Sequence, residues 1–352
     1  MPEAEPQDIL TPITEDAVFL TACVDPGGEA TILDLLPDLA GLRRSVGFRY
    51  PNARLSSVVG IGAALWDRLF GAPRPAGLHP FRELRGPVHT APATPGDLFF
   101  HLRADRLDMC FELARLIVDR LGPQVRIVDE VHGFKSFDER DLLGFVDGTE
   151  NPEGRAAAAA VLIGEEDADF AGGSYLIVQK YVHDLKGWNA LTVEQQEAAF
   201  GRTKLDDVEF PDEDKAPDSH LALNVIEDED GEQLQIMRFN MPFGRVGAGE
   251  YGTYYVAYAA TPAVTEEMLD NMFLGKGEAT HDRILDFSTA ITGSLYFVPG
   301  ADFLDDPPGG DDGPDEVDDA PAGAGAKDGD APAPAPAPEG SLGIGGLRDA
   351  ER

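Results

Sequence analysis

Cysteine is nearly absent from this 352-residue chain: Cys23 and Cys110 are the only two. That is too few for a disulfide framework or a cysteine-rich metal site. Positive charge is scarce as well, with 28 Lys and Arg against 64 Asp and Glu, for a formal net charge of −36. Phosphate backbones need a basic footprint, so this balance argues against nucleic acid as a partner. No run approaches 18 consecutive apolar residues, so no membrane-spanning helix is expected. The opening stretch, MPEAEPQDILTPITEDAVFL, carries no Lys or Arg ahead of its apolar residues, unlike a secretory leader. The seven histidines show no HExxH or paired spacing, which leaves zinc hydrolase chemistry without support. A Gly-x-Ser-x-Gly elbow and a P-loop are also missing, which weakens hydrolase and nucleotide readings. A soluble, acidic, cytoplasmic protein is the expectation.

What is present divides sharply near residue 305. Residues 305–340 hold 11 acidic side chains against the single Lys327, no aromatics, and one β-branched residue, Val317. Such a stretch cannot bury enough apolar surface to offset the entropy of ordering, so a disordered linker is expected. It accounts for −10 of the net charge and leaves −26 for the rest. Apolar residues return in 341–352, SLGIGGLRDAER, where Leu342, Ile344 and Leu347 are separated by glycines. That segment reads either as a frayed terminus or as a docking peptide that inserts these three side chains into a partner's groove.

Residues 1–304 contain a weak internal repeat. In the first half, strands are expected at 17–24, 55–61, 97–103 and 125–134, with helices at 31–46 and 106–121. In the second half, strands are expected at 174–183, 233–240, 252–260 and 294–298, with helices at 192–200, 262–274 and 283–291. Both halves approximate β-α-β-β-α-β, so the fold class is α+β with tandem ferredoxin-like domains at 1–143 and 144–304. A long insertion, about 201–232, sits between the second half's first helix and its next strand; insertions of that length are usually functional or disordered.

Three local patterns carry chemical interest. Glycines flank Asp147 in GFVDGTENP at 144–152, which exposes a carboxylate in a turn, although Asp-Gly-Thr is also a common Asx turn. Arg238 and Asn240 stand at i and i+2 of the expected strand and therefore share one face. His220 closes the insertion, and a lone histidine is more often satisfied structurally than used as a ligand.

Together these patterns resemble the dye-decolourising peroxidases, haem enzymes of the dimeric α+β-barrel superfamily. The carrying residues are GFVDGTENP at 144–152, GRTK at 201–204, His220, RFNMPFG at 238–244 and HDRILDFSTAITGSLYFVP at 281–299. Their order and spacing look like the bacterial B-type subfamily, over about residues 14–304. The tail SLGIGGL resembles the cargo-loading peptide that directs such peroxidases into encapsulin nanocompartments. Chlorite dismutases share the superfamily but lack the GxxDGT acid.

The resemblance implies one haem b per chain, with His220 as the proximal ligand of its iron. It implies a carboxylate on the other ring nitrogen of His220, with Asp282 and Asp286 as candidates and Asp282 preferred. Asp147, Arg238 and Asn240 would form the distal side, and Arg202 would meet a haem propionate. The implied activity is reduction of H2O2 through a ferryl intermediate, with oxidation of dyes, phenolics or Mn(II), in a homo-oligomer packaged by an encapsulin shell through Leu342, Ile344 and Leu347. The competing reading is a haem-binding or haem-delivery protein without turnover. A buried acid–cation pair, which storage does not need, argues against it.

Overall fold

The computed structural model describes residues 5–148 and 151–308. In chain order the first half contains β1 (Asp16–Val24), α1 (Glu29–Leu35), α2 (Leu39–Gly47), β2 (Ser56–Gly62) and α3 (Ala63–Leu69). A small hairpin of β3 (Leu84–Arg85) and β4 (Thr90–Ala91) follows, then β5 (Leu98–Ala104), α4 (Leu107–Leu121) and β6 (Val125–Phe134). The second half contains α5 (Gly154–Val161), β7 (Ser174–His183), α6 (Leu185–Trp188), α7 (Val193–Phe200) and α8 (His220–Asn224). It continues with β8 (Met237–Arg238), β9 (Met241–Arg245), β10 (Glu250–Ala259) and α9 (Pro262–Leu274). The last elements are β11 (Ser288–Ala290), β12 (Ser294–Val298) and α10 (Ala301–Asp305).

The main sheet runs β6-β1-β5-β2-β12-β7-β10-β8, with β9 on β10 and β11 on β7. Each half therefore shows the order fourth-first-third-second of a ferredoxin-like unit, and every pairing is antiparallel. The halves meet where β2 pairs with β12, Gly62 against Tyr296 and Ile61 against Phe297. The segments 1–143 and 144–304 thus share one sheet. Its far ends also approach each other: a Cβ on Gly133 of β6 would stand 2.7 Å from Met241 Cβ of β9.

Both faces of this sheet are buried, because alternate residues of each strand enter different cores. On β1, Val18, Leu20, Ala22 and Val24 pack toward the helices with Leu113 and Ile117 of α4. Ala17 and Phe19 point the other way, into a core with Phe99, Tyr254 and Tyr296. Phe19 stacks on Tyr254 with centroids 4.3 Å apart.

Three expected elements differ, each for a local reason. The helix expected over 31–46 is two helices, because Pro37 lacks the N–H that would continue the ladder. The helix expected over 283–291 is a short 3-10 turn, Arg283–Asp286, followed by β11, whose Ser-Thr-Ala sequence joins the edge of β7. The strand expected over 233–240 is reduced to β8. There Phe239 N donates to Val256 O at 2.9 Å, and then the Asn240 side chain accepts from Val256 N at 3.2 Å. A side chain takes a backbone's place in the ladder, so β8 and β9 are separate. Helix α10 also extends regular structure to Asp305, where the linker was expected to begin, and residues 341–352 lie outside the described residues.

Candidate active site

Asp147, Arg202, His220, Arg238 and Asn240 all line one cavity of about 890 Å³ in the second half. Its wall mixes these polar groups with apolar side chains such as Ile236, Met268, Leu269, Met272 and Leu285.

His220 is the first residue of α8. Asn271 of α9 donates to Leu223 O at 3.0 Å and so holds this short helix against the longer one. The His220 Nδ1 stands 2.6 Å from Asp282 Oδ2, and Asp282 is fully buried. Asp282 is itself fixed, since its other oxygen accepts from Ile284 N at 3.0 Å and its backbone N–H donates to Met272 O at 2.8 Å. A carboxylate beside Nδ1 keeps the proton on that nitrogen and leaves the Nε2 lone pair free to bind a metal. Asn224, four residues on, brings its amide to His220 O at 2.8 Å. Asp286, the other candidate partner, lies instead against His89 and His281.

The turn carrying Asp147 is built by Asp141. Its Oδ1 accepts from Gly144 N at 2.7 Å and from Phe145 N at 2.9 Å. Gly144 and Gly148 adopt φ of +96° and +82°, conformations that side chains resist. Phe145 anchors the turn by stacking on Phe200 with centroids 3.8 Å apart. Arg140 ties it to the GRTK segment, donating to Gly144 O at 3.0 Å and Lys204 O at 2.6 Å.

On this scaffold Asn240 Nδ2 donates to Asp147 Oδ2 at 3.0 Å. Arg238 is held through its backbone, because Asn151 accepts from Arg238 N at 2.8 Å and donates to Arg238 O at 2.7 Å. Its guanidinium lines the cavity with Tyr255, whose phenol is pushed up by burial, the Arg238 charge opposing and the Asp147 charge adding to that rise. Arg202 is buried and pairs with Asp207 at 3.2 Å.

Asp141, Asn151, Asn224, Tyr255 and His183 belong to the site but carry no assignment from the sequence. Burial raises the Asp141 carboxyl to about 7, the nearby Asp147 charge adding to the rise while backbone donors oppose it. The Asp-x-x-Gly spacing from Asp141 to Gly144 is an Asx-turn signal that marks this residue.

A single imidazole in a large, partly apolar cavity fits a group that brings its own equatorial donors. The second histidine of the wall, His183, has both ring nitrogens engaged, by Ser288 at 2.8 Å and Thr253 at 3.0 Å. Burial lowers its pKa to about 4, so it is neutral and committed. Among the described residues, no cluster of three metal-ligating side chains lies in the cavity. A haem supplies four nitrogens and needs one axial ligand, so His220 with Asp282 behind it, and Arg202 as a cation for a carboxylate edge, suit that group.

Two family models match the chain, "Dyp-type peroxidase, N-terminal" over residues 6–135 and "Dyp-type peroxidase, C-terminal" over 138–303. A dye-decolorizing peroxidase of Rhodococcus erythropolis is 57% identical over 345 residues, covering 98% of this chain and 97% of that protein. Among solved structures, the encapsulated DyP-type peroxidase from Mycobacterium smegmatis is similar with a TM-score of 0.86 and 61% identity, over 87% of this chain and 99% of that one. A variant of the Rhodococcus jostii protein in complex with haem is similar with a TM-score of 0.83 and 53% identity, over 86% of this chain and 98% of that one.

Proposed function

This chain belongs to the Dyp-type peroxidase family and is a haem-dependent peroxidase, and from that premise we propose the roles of its residues. One haem b per chain would be held by His220 through Nε2. When bound, it supplies an iron that takes oxidising equivalents from peroxide and passes them to donors.

The chain's own groups do the rest. Asp282 holds the Nδ1 proton of His220 and increases the basicity of the coordinating nitrogen. Cleavage of the peroxide O–O bond would require a proton to move from the inner to the outer oxygen. Asp147 carries that proton as general base and then general acid. The amide of Asn240 orients Asp147 through the 3.0 Å hydrogen bond. Arg238, always cationic, stabilises the negative charge that develops on the departing oxygen. Arg202 receives a haem propionate. Electron donors would be organic molecules such as dyes and phenolics, or Mn(II), oxidised at the haem edge or through a surface radical.

The observation that carries this reading is that Asp147, hydrogen-bonded by Asn240, lines the same cavity as Arg238 and as His220, which Asp282 backs from behind. We further propose that the enzyme is a cytoplasmic homo-oligomer packaged in an encapsulin shell through Leu342, Ile344 and Leu347. The M. smegmatis relative is described as encapsulated, and the R. erythropolis alignment spans 98% of this chain, which takes it into the tail.

Stopped-flow absorbance of the haem-loaded protein with stoichiometric H2O2 tests the catalytic assignment. The Soret band should change rapidly in the wild type. In Asp147→Ala/Arg238→Leu, with haem retained, the rate should fall roughly 10²–10⁴-fold. Equally rapid conversion in both proteins would reject the distal roles, and slow bleaching of the wild type would mean haem binding without turnover.

A further inference from the structure

We infer that His89, His281 and Asp286 form a binding site for a divalent transition-metal ion of the zinc kind, outside the haem cavity. His89 and Asp286 are 197 residues apart in the chain, yet His89 Nε2 stands 3.1 Å from Asp286 Oδ1. His281 Nε2 stands 3.0 Å from that same oxygen. The three ligand atoms all lie within 4.8 Å of one another, and none of the three residues lines the cavity.

Two ligand atoms each about 2.1 Å from a shared ion and about 3 Å from each other subtend about 90–95° at it, an ordinary coordination angle. The nitrogen–oxygen separations here already have that value, so binding requires each Nε2 to be unprotonated, with the proton on Nδ1, and a modest approach of the two imidazoles. His281 is oriented for this by a second contact, because its Nδ1 meets Thr280 Oγ1 at 3.1 Å and Nε2 is thereby directed toward Asp286. Metal-bound histidines are commonly held through the other ring nitrogen in this way.

The scaffold is rigid on both sides. His89 sits in the turn between β3 and β4, closed by the Gly86 N–H donating to His89 O at 2.9 Å. A Cβ on Gly86 would stand 1.8 Å from Phe273 O of α9, so the turn fits its neighbour only as glycine. Asp286 ends the 3-10 turn that Asp282 begins. An ion here would therefore tie the β3–β4 hairpin to the segment carrying the carboxylate behind His220.

Two imidazoles with one carboxylate suit zinc, cobalt, nickel or copper, whereas calcium and magnesium prefer oxygen sets. The Asp286 side chain is 44% exposed, which leaves water room to complete the coordination. The chain's net charge of −36 also raises the local concentration of cations.

Equilibrium dialysis of the haem-loaded full chain against micromolar free Zn2+, with zinc and iron counted per chain by elemental mass spectrometry, tests the site. The wild type should hold about one more zinc than His89→Ala, His281→Gln or Asp286→Asn, with iron unchanged. Each substitution should weaken this zinc by about tenfold or more. Zinc should also raise the thermal midpoint of the wild type alone. Asp286→Asn keeps the size of a side chain that lies outside the haem cavity, and so keeps the comparison valid where a histidine variant loses haem. Equal zinc in all proteins, or none in the wild type, would overturn the site. Equal displacement by Ca2+ would overturn its transition-metal character.

Discussion

Asp282 is a small residue with a large responsibility, because one of its oxygens faces His220 Nδ1 and the other caps the turn that follows. Asp282→Asn retains the size and removes the charge. We expect haem to be lost to excess apomyoglobin about 10–100-fold faster than from the wild type, with the fold unchanged by circular dichroism. Equal rates would remove Asp282 from the ligand assembly.

Asp141 provides a pH test. Folding raises its carboxyl from about 3.9, the ordinary value, to about 7, so the folded state holds this proton more tightly than the unfolded chain. Its contribution is most favourable below about pH 4 and is lost as pH rises to about 7. Asp141→Asn keeps an oxygen for the Gly144 and Phe145 N–H groups without titrating. The variant should gain stability relative to the wild type as pH rises from about 4 to about 7 and keep that gain above it, by a few kcal/mol at most. A difference in urea midpoint that does not vary with pH would reject the shifted titration.

His220, Arg238 and Asn240 could be singled out through the order and spacing that carry the family resemblance, and the structure brings all three to one cavity. Asp141 is marked by its Asp-x-x-Gly spacing only as a turn residue; its burial beside Asp147 is encoded by no local pattern. Likewise the choice between Asp282 and Asp286 needed the third dimension: the two residues are four apart, and only the turn between them sends one to His220 and the other to His89.

At the scale of elements, strongly periodic segments were readable and interruptions were not. The helix expected at 106–121 appears as Leu107–Leu121, with Met109, Cys110, Leu113, Ala114, Ile117 and Leu121 buried at helical spacing. The strands expected at 125–134, 174–183 and 294–298 match β6, β7 and β12. Where a side chain replaces a backbone group, as Asn240 does against Val256, propensity gives no warning.

The approach of β6 to β9 rests on an absence of side chain at Gly133, whose added Cβ would also stand 2.9 Å from the Phe19 ring. Gly133→Val should cost about 1–3 kcal/mol through overpacking, read as a lower urea midpoint. A change below a few tenths of a kcal/mol would mean that the two strands part without penalty.

For the whole molecule, the repeat in the sequence predicted two similar halves. Their union through β2 and β12 was not readable, since no residue of either strand advertises its partner. The tail offers a test independent of the haem site. Deleting residues 341–352 should abolish co-elution with a co-expressed encapsulin shell while leaving the peroxidase rate within about twofold, the range expected for a distant, independent change. Retention in the shell would show that loading uses another surface.

The β2–β12 seam also sets an order of events during synthesis. β12 inserts between β2 and β7 but pairs with β2 only at Ile61 and Gly62, so this end of the first half's edge waits for Val298, whereas Gln7 and Asp8 already cap Val59 and Ser57. The stretch from Gly62 to Val298 takes roughly 10–50 s to translate at the usual elongation speed. An exposed strand edge over that interval is an invitation to pair with a neighbouring nascent chain. The strand end at Ile61–Gly62 is thus the part of the first half that synthesis leaves unpaired longest, and slower translation or crowded polysomes should lower the yield of folded protein.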